Sequence, residues 1–198
     1  MQKQEKLTNM NILKPFIKLT GDIYLSKYPC FCLYKPKFHK LKGDEIRIIL
    51  NTIKPGDILF RRYHGYLNTI LTPGYWGHAA LYIGRNKVIH ALGKGITKED
   101  ILDFCRCDDF ALSRIKNVTR NSIKDAIEKA NETEKEKVQY DYEFERDNNN
   151  LYCTELIDNV YNKLFEKDYE KKWGKEVLLP DGLYNSTKLN KILVFKHK

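Results

Sequence analysis

The sequence of 198 residues lacks the features that mark membrane-spanning and secreted proteins. It has no run approaching the roughly 20 consecutive apolar residues that cross a bilayer. Its first residues, Met1 to Lys6, lead to no apolar core that ends in a small-residue cleavage site. These absences predict a cytoplasmic protein, with contact to a membrane or the cell envelope only at the periphery.

Cysteine is scarce, and its count is odd. Five cysteines in a chain without a signal segment argue against a disulfide framework. Four of them form two Cys-x-Cys pairs, Cys30 with Cys32 and Cys105 with Cys107. The single-residue gap is shorter than the spacing of zinc knuckles. A zinc site is therefore kept only as an alternative that elemental analysis would test, and we expect no metal and no cofactor.

Dense charge runs and internal repeats are absent as well. The net charge is +9, but 35 basic residues are scattered among 26 acidic ones, as is typical of a solvated surface rich in lysine. We therefore expect no specific nucleic acid partner. A non-catalytic binding module that uses this basic surface for an anionic partner remains the alternative. Hydrophobic residues at 42% and aromatic residues at 12% exclude wholesale disorder.

The chain divides at about residue 43. Residues 1–43 mix lysines, prolines and aromatics, and this extension could pack on the domain, touch a membrane surface or bind a partner. Residues 44–198 form the predicted domain, with apolar periodicity and turn residues that predict regular elements. These are a helix over 44–51, a strand over 58–62, a helix over 98–104 capped by Thr97, a strand over 110–115 and a helix over about 121–136.

A predicted hairpin with a histidine on each arm stands between these elements. Residues 75–84 and 87–90 are typical of strands, and Gly84-Arg85-Asn86 is typical of a tight turn. His78 opens the first arm and His90 closes the second. Residues at this separation can face each other across a short-turn ladder, so we expect the imidazoles at one end of a sheet. Taken alone, a histidine on a strand is more often structural.

Cys153 is predicted to begin a helix. The apolar residues that follow it fall on one helical face, which places Cys153 in the first turn. Free N–H groups and the positive dipole end would lower the pKa of its thiol, and a nearby histidine would lower it further. A cysteine, a base and an orienting group are the parts of a nucleophilic site. A lone cysteine at a helix start is otherwise commonly a small buried residue.

Five motifs follow one another along residues 44–198. They are Gly56-Asp57-Ile58-Leu59, Gly77-His78-Ala79-Ala80-Leu81-Tyr82-Ile83-Gly84, Val88-Ile89-His90-Ala91, Tyr140-Asp141-Tyr142 and Tyr152-Cys153-Thr154-Glu155-Leu156. In this order they resemble the circularly permuted NlpC-type papain-like cysteine hydrolases, and within them the YiiX/YebB-like branch. The resemblance implies an α+β fold in which a small, barrel-like antiparallel sheet packs against helices. The nucleophile helix then follows the sheet histidine in the sequence.

The resemblance also implies roles for individual residues. Cys153 matches the nucleophile, His78 the general base and His90 the orienting residue. Many relatives of this branch have glutamate at the third position, whereas lecithin:retinol-acyltransferase-like relatives have histidine. A neutral histidine supports an imidazolium less than a carboxylate does.

An oxyanion would be met by the backbone N–H of Cys153 and one side-chain donor, for which Tyr142 and Tyr75 are candidates. Arg61 is a candidate for lining the cleft. The implied reaction is hydrolysis or acyl transfer at an amide or ester through a thioacyl intermediate. Cell-wall peptides and acyl-lipid or N-acyl compounds are the expected substrate classes. The aromatic extension and positive charge lean toward a lipid-like or anionic substrate and toward peripheral contact with an anionic membrane. The sequence leaves the oligomeric state open.

Overall fold

A six-stranded antiparallel sheet forms the centre of the computed structural model, which describes residues 23–25, 32–34, 39–65, 73–146 and 148–197. Its strands are β3 (Ile58–Arg62), β4 (His78–Gly84), β5 (Lys87–Leu92), β6 (Gly95–Asp100), β7 (Asp109–Ile115) and β10 (Leu189–Phe195), in the spatial order β10-β7-β3-β4-β5-β6. Two further pairs are β1 (Ile23–Leu25) with β2 (Cys32–Tyr34), and β8 (Glu170–Lys172) with β9 (Lys175–Val177).

The helices described here are short, apart from the third. They are α1 (Gly43–Thr52), α2 (Ile101–Phe104), α3 (Arg120–Lys135), α4 (Cys153–Val160) and α5 (Pro180–Asn185), with a 3₁₀ turn at Glu166–Asp168. No helix in the described part of the chain is both long and apolar enough to cross a membrane.

The predicted hairpin is present as β4 and β5. Arg85 and Asn86 link the strands with φ angles of 52° and 57°, the left-handed values that a two-residue hairpin turn requires. The ladder pairs Tyr82 with Val88, and it therefore returns His90 toward the end of the sheet at which His78 begins. The structure thus contains the turn on which the predicted meeting of the two imidazoles depends.

Alternation along the strands gives the sheet two apolar faces. Residues such as Ala79 and Ile89 face a core that includes Leu156 and Ile157 of α4. Their neighbours, such as Ala80, contribute to a second core with residues of α1 and α2. Burying both faces between helices is the reason that these strands read as nearly continuous apolar runs. The α+β class with an antiparallel sheet is confirmed.

Several element predictions are confirmed, and two need correction. The predicted helix after Thr97 is wrong at its start, because residues 95–100 form β6 and pair with β5 along its length. Only the short α2 follows, and the side chain of Asp100 caps it by accepting from the N–H of Leu102 at 3.0 Å. Cross-strand pairing has overridden the local capping signal. The helix that begins at Cys153 ends at Val160, earlier than its apolar pattern suggested.

Most of the predicted N-terminal extension lies outside the described residues. The boundary at residue 43 therefore stays a prediction. Leu41, which is 2% exposed, already belongs to the core, and its N–H donates to the carbonyl of Cys107 at 3.1 Å. The packed core thus includes Leu41, three residues before the predicted start at residue 44.

Candidate active site

Cys153 is the first residue of α4 and is 6% exposed. The helix is anchored by Leu156 and Ile157, which are buried against the sheet. This packing brings the sulfur beside strand β4, where it accepts a hydrogen bond from the backbone N–H of Ala79. Because Ala79 directly follows His78, the thiol meets the sheet at the strand position next to the candidate base. The backbone N–H groups of Thr154 and of Cys153 itself also point at the sulfur.

Burial dominates the electrostatics of this thiol. It raises the pKa of Cys153 above its ordinary value, although the N–H donors of Ala79, Thr154 and Cys153 lower it. The expected lowering of the thiol pKa is therefore wrong for the protein without substrate. The helix terminus contributes in the expected direction, but desolvation of the thiolate is the larger effect.

His78 and His90 are brought together as predicted. Nε2 of His78 lies 3.1 Å from Nδ1 of His90, and the ring centroids are 5.1 Å apart. His90 is fully buried, whereas His78 is partly exposed. Within the described part of the chain, Nδ1 of His78 has no hydrogen-bond partner, and none joins it to the sulfur of Cys153. This nitrogen is consequently the one left for a reacting group.

Both imidazoles are neutral at pH 7. Burial, followed by the Arg61 guanidinium and the charge of His90, holds the pKa of His78 well below its ordinary value. Burial, Arg61 and Lys94 lower the pKa of His90 to about 3. A neutral imidazole has a free lone pair, and it is therefore able to act as a base.

Arg61 lies opposite His78 in the ladder between β3 and β4, and it is 7% exposed. Its Nη1 donates to Oε2 of Glu99 at 3.0 Å, and its guanidinium stacks on the Phe104 ring at 4.4 Å. Arg61 therefore contacts Glu99 and Phe104 and does not line an open cleft. Glu99 was missed by the sequence reasoning, because its segment was assigned to a helix. A strand assignment would have placed it opposite Val88, near His90.

The two tyrosine candidates are both engaged elsewhere. The hydroxyl of Tyr75 donates to Oδ2 of Asp109 at 2.6 Å, and that of Tyr142 donates to the carbonyl of Gly93 at 2.8 Å. In the same motif as Tyr142, Tyr140 is the tyrosine whose pKa is affected by the charge of Cys153. Burial, and then the charge of Cys153, raise the pKa of Tyr140. Its position in the Tyr140-Asp141-Tyr142 motif was the available signal, but the sequence alone did not distinguish the two tyrosines.

The described residues also bear on the alternative zinc site. Cys105 and Cys107 are buried free thiols, and Cys30 lies outside the described residues. In the described ranges, no three His, Cys, Asp or Glu side chains are grouped so as to hold a metal ion. A polar cleft of about 350 Å³ beside α3 is lined by Lys129, Asn159 and their neighbours, and it does not include the Cys153 or His78 side chains.

Comparison with known proteins identifies a family and a solved structure of similar fold. A family model described as permuted papain-like amidase enzymes of the YaeF/YiiX type matches residues 52–193, a range that holds His78, His90 and Cys153. Among solved structures, YiiX from Escherichia coli O157:H7, described as a metalloprotein, matches with a TM-score of 0.59 and 16% identity. The match covers 73% of this chain and 98% of that one. No curated protein gave a significant match.

Proposed function

This chain belongs to the permuted papain-like amidase family of YaeF and YiiX, and from that premise we propose that it is a hydrolase with Cys153 as nucleophile and His78 as base. The observation that carries the proposal is the position of the sulfur. It lies at the N-terminus of a buried helix and accepts from the N–H of Ala79, directly after a histidine whose Nε2 is held by His90.

The first half of the reaction forms a thioacyl intermediate. Nδ1 of His78 takes the thiol proton as Sγ of Cys153 bonds to the carbonyl carbon of an amide or ester. The carbonyl oxygen becomes an oxyanion that the N–H of Cys153 stabilises, and the Tyr140 hydroxyl is our candidate for the second donor. The intermediate then collapses, and the His78 imidazolium gives its proton to the departing nitrogen or oxygen.

The second half releases the acyl group. His78 takes a proton from water, the hydroxide oxygen bonds to the thioester carbon, and the carbon–sulfur bond breaks. The proton returns to sulfur, and the products are a carboxylic acid and the free thiol. A second alcohol or amine in place of water would make the same step an acyl transfer.

The charges of the free protein influence when the first proton moves. Because the thiol pKa is raised and the pKa of His78 is lowered, the neutral thiol and neutral imidazole are the stable pair before substrate binds. The thiol proton therefore moves to His78 together with the attack on the substrate carbonyl, whose oxygen accepts the developing charge.

An acyl-enzyme experiment tests this proposal. The protein is incubated with p-nitrophenyl acetate, quenched in acid, and analysed by intact mass and peptide mapping. We expect one acetyl group on Cys153 and none in Cys153→Ala. Cys107→Ala is the matched control, because it removes another buried thiol and should acetylate like the wild type. Acetylation at other residues, or none at all, would contradict the nucleophile assignment.

Substrate class is the finer part of the proposal. We propose acyl compounds of either a cell-wall peptide or a lipid, with a lean toward lipid-like or anionic substrates that rests on the net charge of +9. Peripheral contact with an anionic membrane belongs to the same proposal. Release of fatty acid from phosphatidylglycerol vesicles is compared with release of amine from cell-wall peptides. Activity only on the peptides would remove the lipid lean. Binding to the vesicles without any turnover, and without an acyl-enzyme, would favour a binding module.

A further inference from the structure

Four polar side chains form a connected layer across four neighbouring strands. Arg61 lies on β3, His78 on β4, His90 on β5 and Glu99 on β6. The contacts run from His78 Nε2 to His90 Nδ1 at 3.1 Å, from His90 Nε2 to Glu99 Oε2 at 3.6 Å, and from that oxygen to Arg61 Nη1 at 3.0 Å. The candidate base is therefore linked through one imidazole to a carboxylate.

The middle of this layer contains an unsatisfied atom. Nε2 of His90 is buried and has no hydrogen-bond partner among the described residues. When Nε2 carries the proton, Arg61 cannot accept it, because a guanidinium has donors only. Arg61, Lys94 and His78 are the other charged or titratable groups that act on His90. Glu99 is the carboxylate that the described ion pairs place against it, and its oxygen is a few tenths of an ångström beyond hydrogen-bond distance.

We propose that Glu99 is a positioning residue for the reaction at Cys153, and that it acts by accepting the Nε2–H of His90. This inference rests on the proposed function. A proton fixed on Nε2 of His90 makes its Nδ1 an acceptor. His78 must then donate through Nε2–H, which leaves the lone pair on His78 Nδ1. That lone pair is the one that receives the thiol proton.

In this layer the carboxylate lies on β6, one strand beyond the imidazole that contacts the base, and His90 transmits its effect to His78. The Arg61 contact holds the Glu99 carboxylate in place, since both are in one ion pair with side chains 8% and 27% exposed.

Imidazole tautomers give a readout that does not depend on turnover. In ¹⁵N-detected NMR at pH 7, we expect both His78 and His90 to be protonated on Nε2 in the wild type. Glu99→Met removes the acceptor at similar volume and should give mixed or reversed tautomers. Glu99→Gln keeps an acceptor oxygen and should retain the wild-type pattern. Glu134→Gln is the matched control, because Glu134 has the same 3.0 Å ion-pair distance and is 29% exposed.

Kinetics test the functional half of the inference. The rate of Cys153 acetylation by p-nitrophenyl acetate should fall about 10-fold or more in Glu99→Met, by less in Glu99→Gln, and not in Glu134→Gln. If Glu99→Met does not fold, the double variant Arg61→Met/Glu99→Met removes the pair together and is used for the NMR readout.

The outcomes separate this inference from the proposed function. Unchanged tautomers in Glu99→Met or in the double variant would overturn the positioning role, even where the acyl-enzyme forms. Changed tautomers with an unchanged acetylation rate would also overturn it. Absence of an acyl-enzyme in the wild type would instead remove the proposed function, while the tautomers would still report whether Glu99 orients the histidines.

Discussion

Two groups of histidines lie on or next to different strands of the same sheet, and their electrostatic surroundings differ. His78 and His90 face each other in a buried layer next to a guanidinium, and the pKa values of both are lowered. His64 and His197 instead contact carboxylates. Nε2 of His64 contacts Oδ2 of Asp109, and the backbone N–H of His197 donates to Oδ1 of Asp109 at 2.7 Å.

The second group, His64 and His197 with the carboxylates that they contact, links parts of the chain that are far apart in sequence. Asp109 begins β7, His64 follows β3, and His197 lies at the C-terminal end of the chain. Nε2 of His197 also contacts Oε1 of Glu45 on α1 at 3.0 Å, and the N–H of Lys40 donates to Oδ1 of Asp108 at 3.0 Å. This group therefore adds side-chain contacts where β3, β7 and β10 already pair in the sheet, and it links them to α1.

The difference shows that the surroundings of a histidine side chain determine its role. Burial beside a cation keeps an imidazole neutral, so its lone pair is available to a thiol. Asp109 contacts Nε2 of His64 and the backbone N–H of His197, and it fixes both residues in the scaffold. We therefore expect variants of the first group to affect the reaction, and variants of the second to affect stability.

The largest effect is expected when His78 is truncated to alanine, and the same truncation at His64 is the comparison. His78→Ala removes the base, and we expect acetylation of Cys153 by p-nitrophenyl acetate to fall about 1,000-fold or more. His64→Ala should leave this rate within about threefold, because His64 contacts Asp109 and not the nucleophile. Equal losses in both variants, with both proteins folded by circular dichroism, would contradict the assignment of the reaction to the first group alone.

The sequence predicted one of these groups and not the other, for a physical reason. The hairpin of His78 and His90 is encoded by turn residues and alternation within a short stretch, and the helix of Cys153 by local apolar periodicity. Asp109 meets His64 across 45 positions and His197 across 88, and no local pattern encodes such pairs. Glu99 was lost because a local helix signal competed with strand pairing.

The next effect concerns stability. Asp109→Asn replaces a fully buried carboxylate that takes hydrogen bonds from Tyr75, His64 and His197. We expect the free energy of unfolding at pH 7 to fall by about 2–4 kcal/mol. Urea denaturation measures it, and Lys98→Ala, which breaks a more exposed ion pair, should cost less than about 1 kcal/mol. A large loss of acylation rate in folded Asp109→Asn would contradict the assignment of the second group to stability alone.

A smaller effect tests the cation beside the first group. Burial and then Arg61 lower the pKa of His78, so Arg61→Met should raise it. Because the base works in its neutral form, the acid limb of the pH–acylation profile should move to higher pH. Arg62→Met is the control, since the neighbouring Arg62 stacks on Tyr75 at 4.6 Å. A limb that moves to lower pH, or moves equally in Arg62→Met, would contradict the role of Arg61.

The smallest effect is expected at Tyr75, which was predicted to act in the reaction but contacts Asp109 of the second group. Tyr75 was a candidate oxyanion donor, but its hydroxyl donates to Asp109 at 2.6 Å. We expect Tyr75→Phe to lower the free energy of unfolding by about 1 kcal/mol and to leave the acetylation rate of Cys153 unchanged.

The pH dependence of that small loss identifies its origin. Burial raises the pKa of Asp109, but hydrogen bonds from His197, Tyr75 and His64 hold it below its ordinary value. A carboxylate with a depressed pKa contributes stability above its unfolded pKa, and this contribution disappears as the pH falls through its folded pKa. The difference between wild type and Tyr75→Phe should therefore be largest at pH 7 and should shrink at pH 3 in urea denaturation. A difference that is equal at both pH values would assign the loss to packing of the ring. A slower acetylation would return Tyr75 to the reaction and move it from the second group to the first.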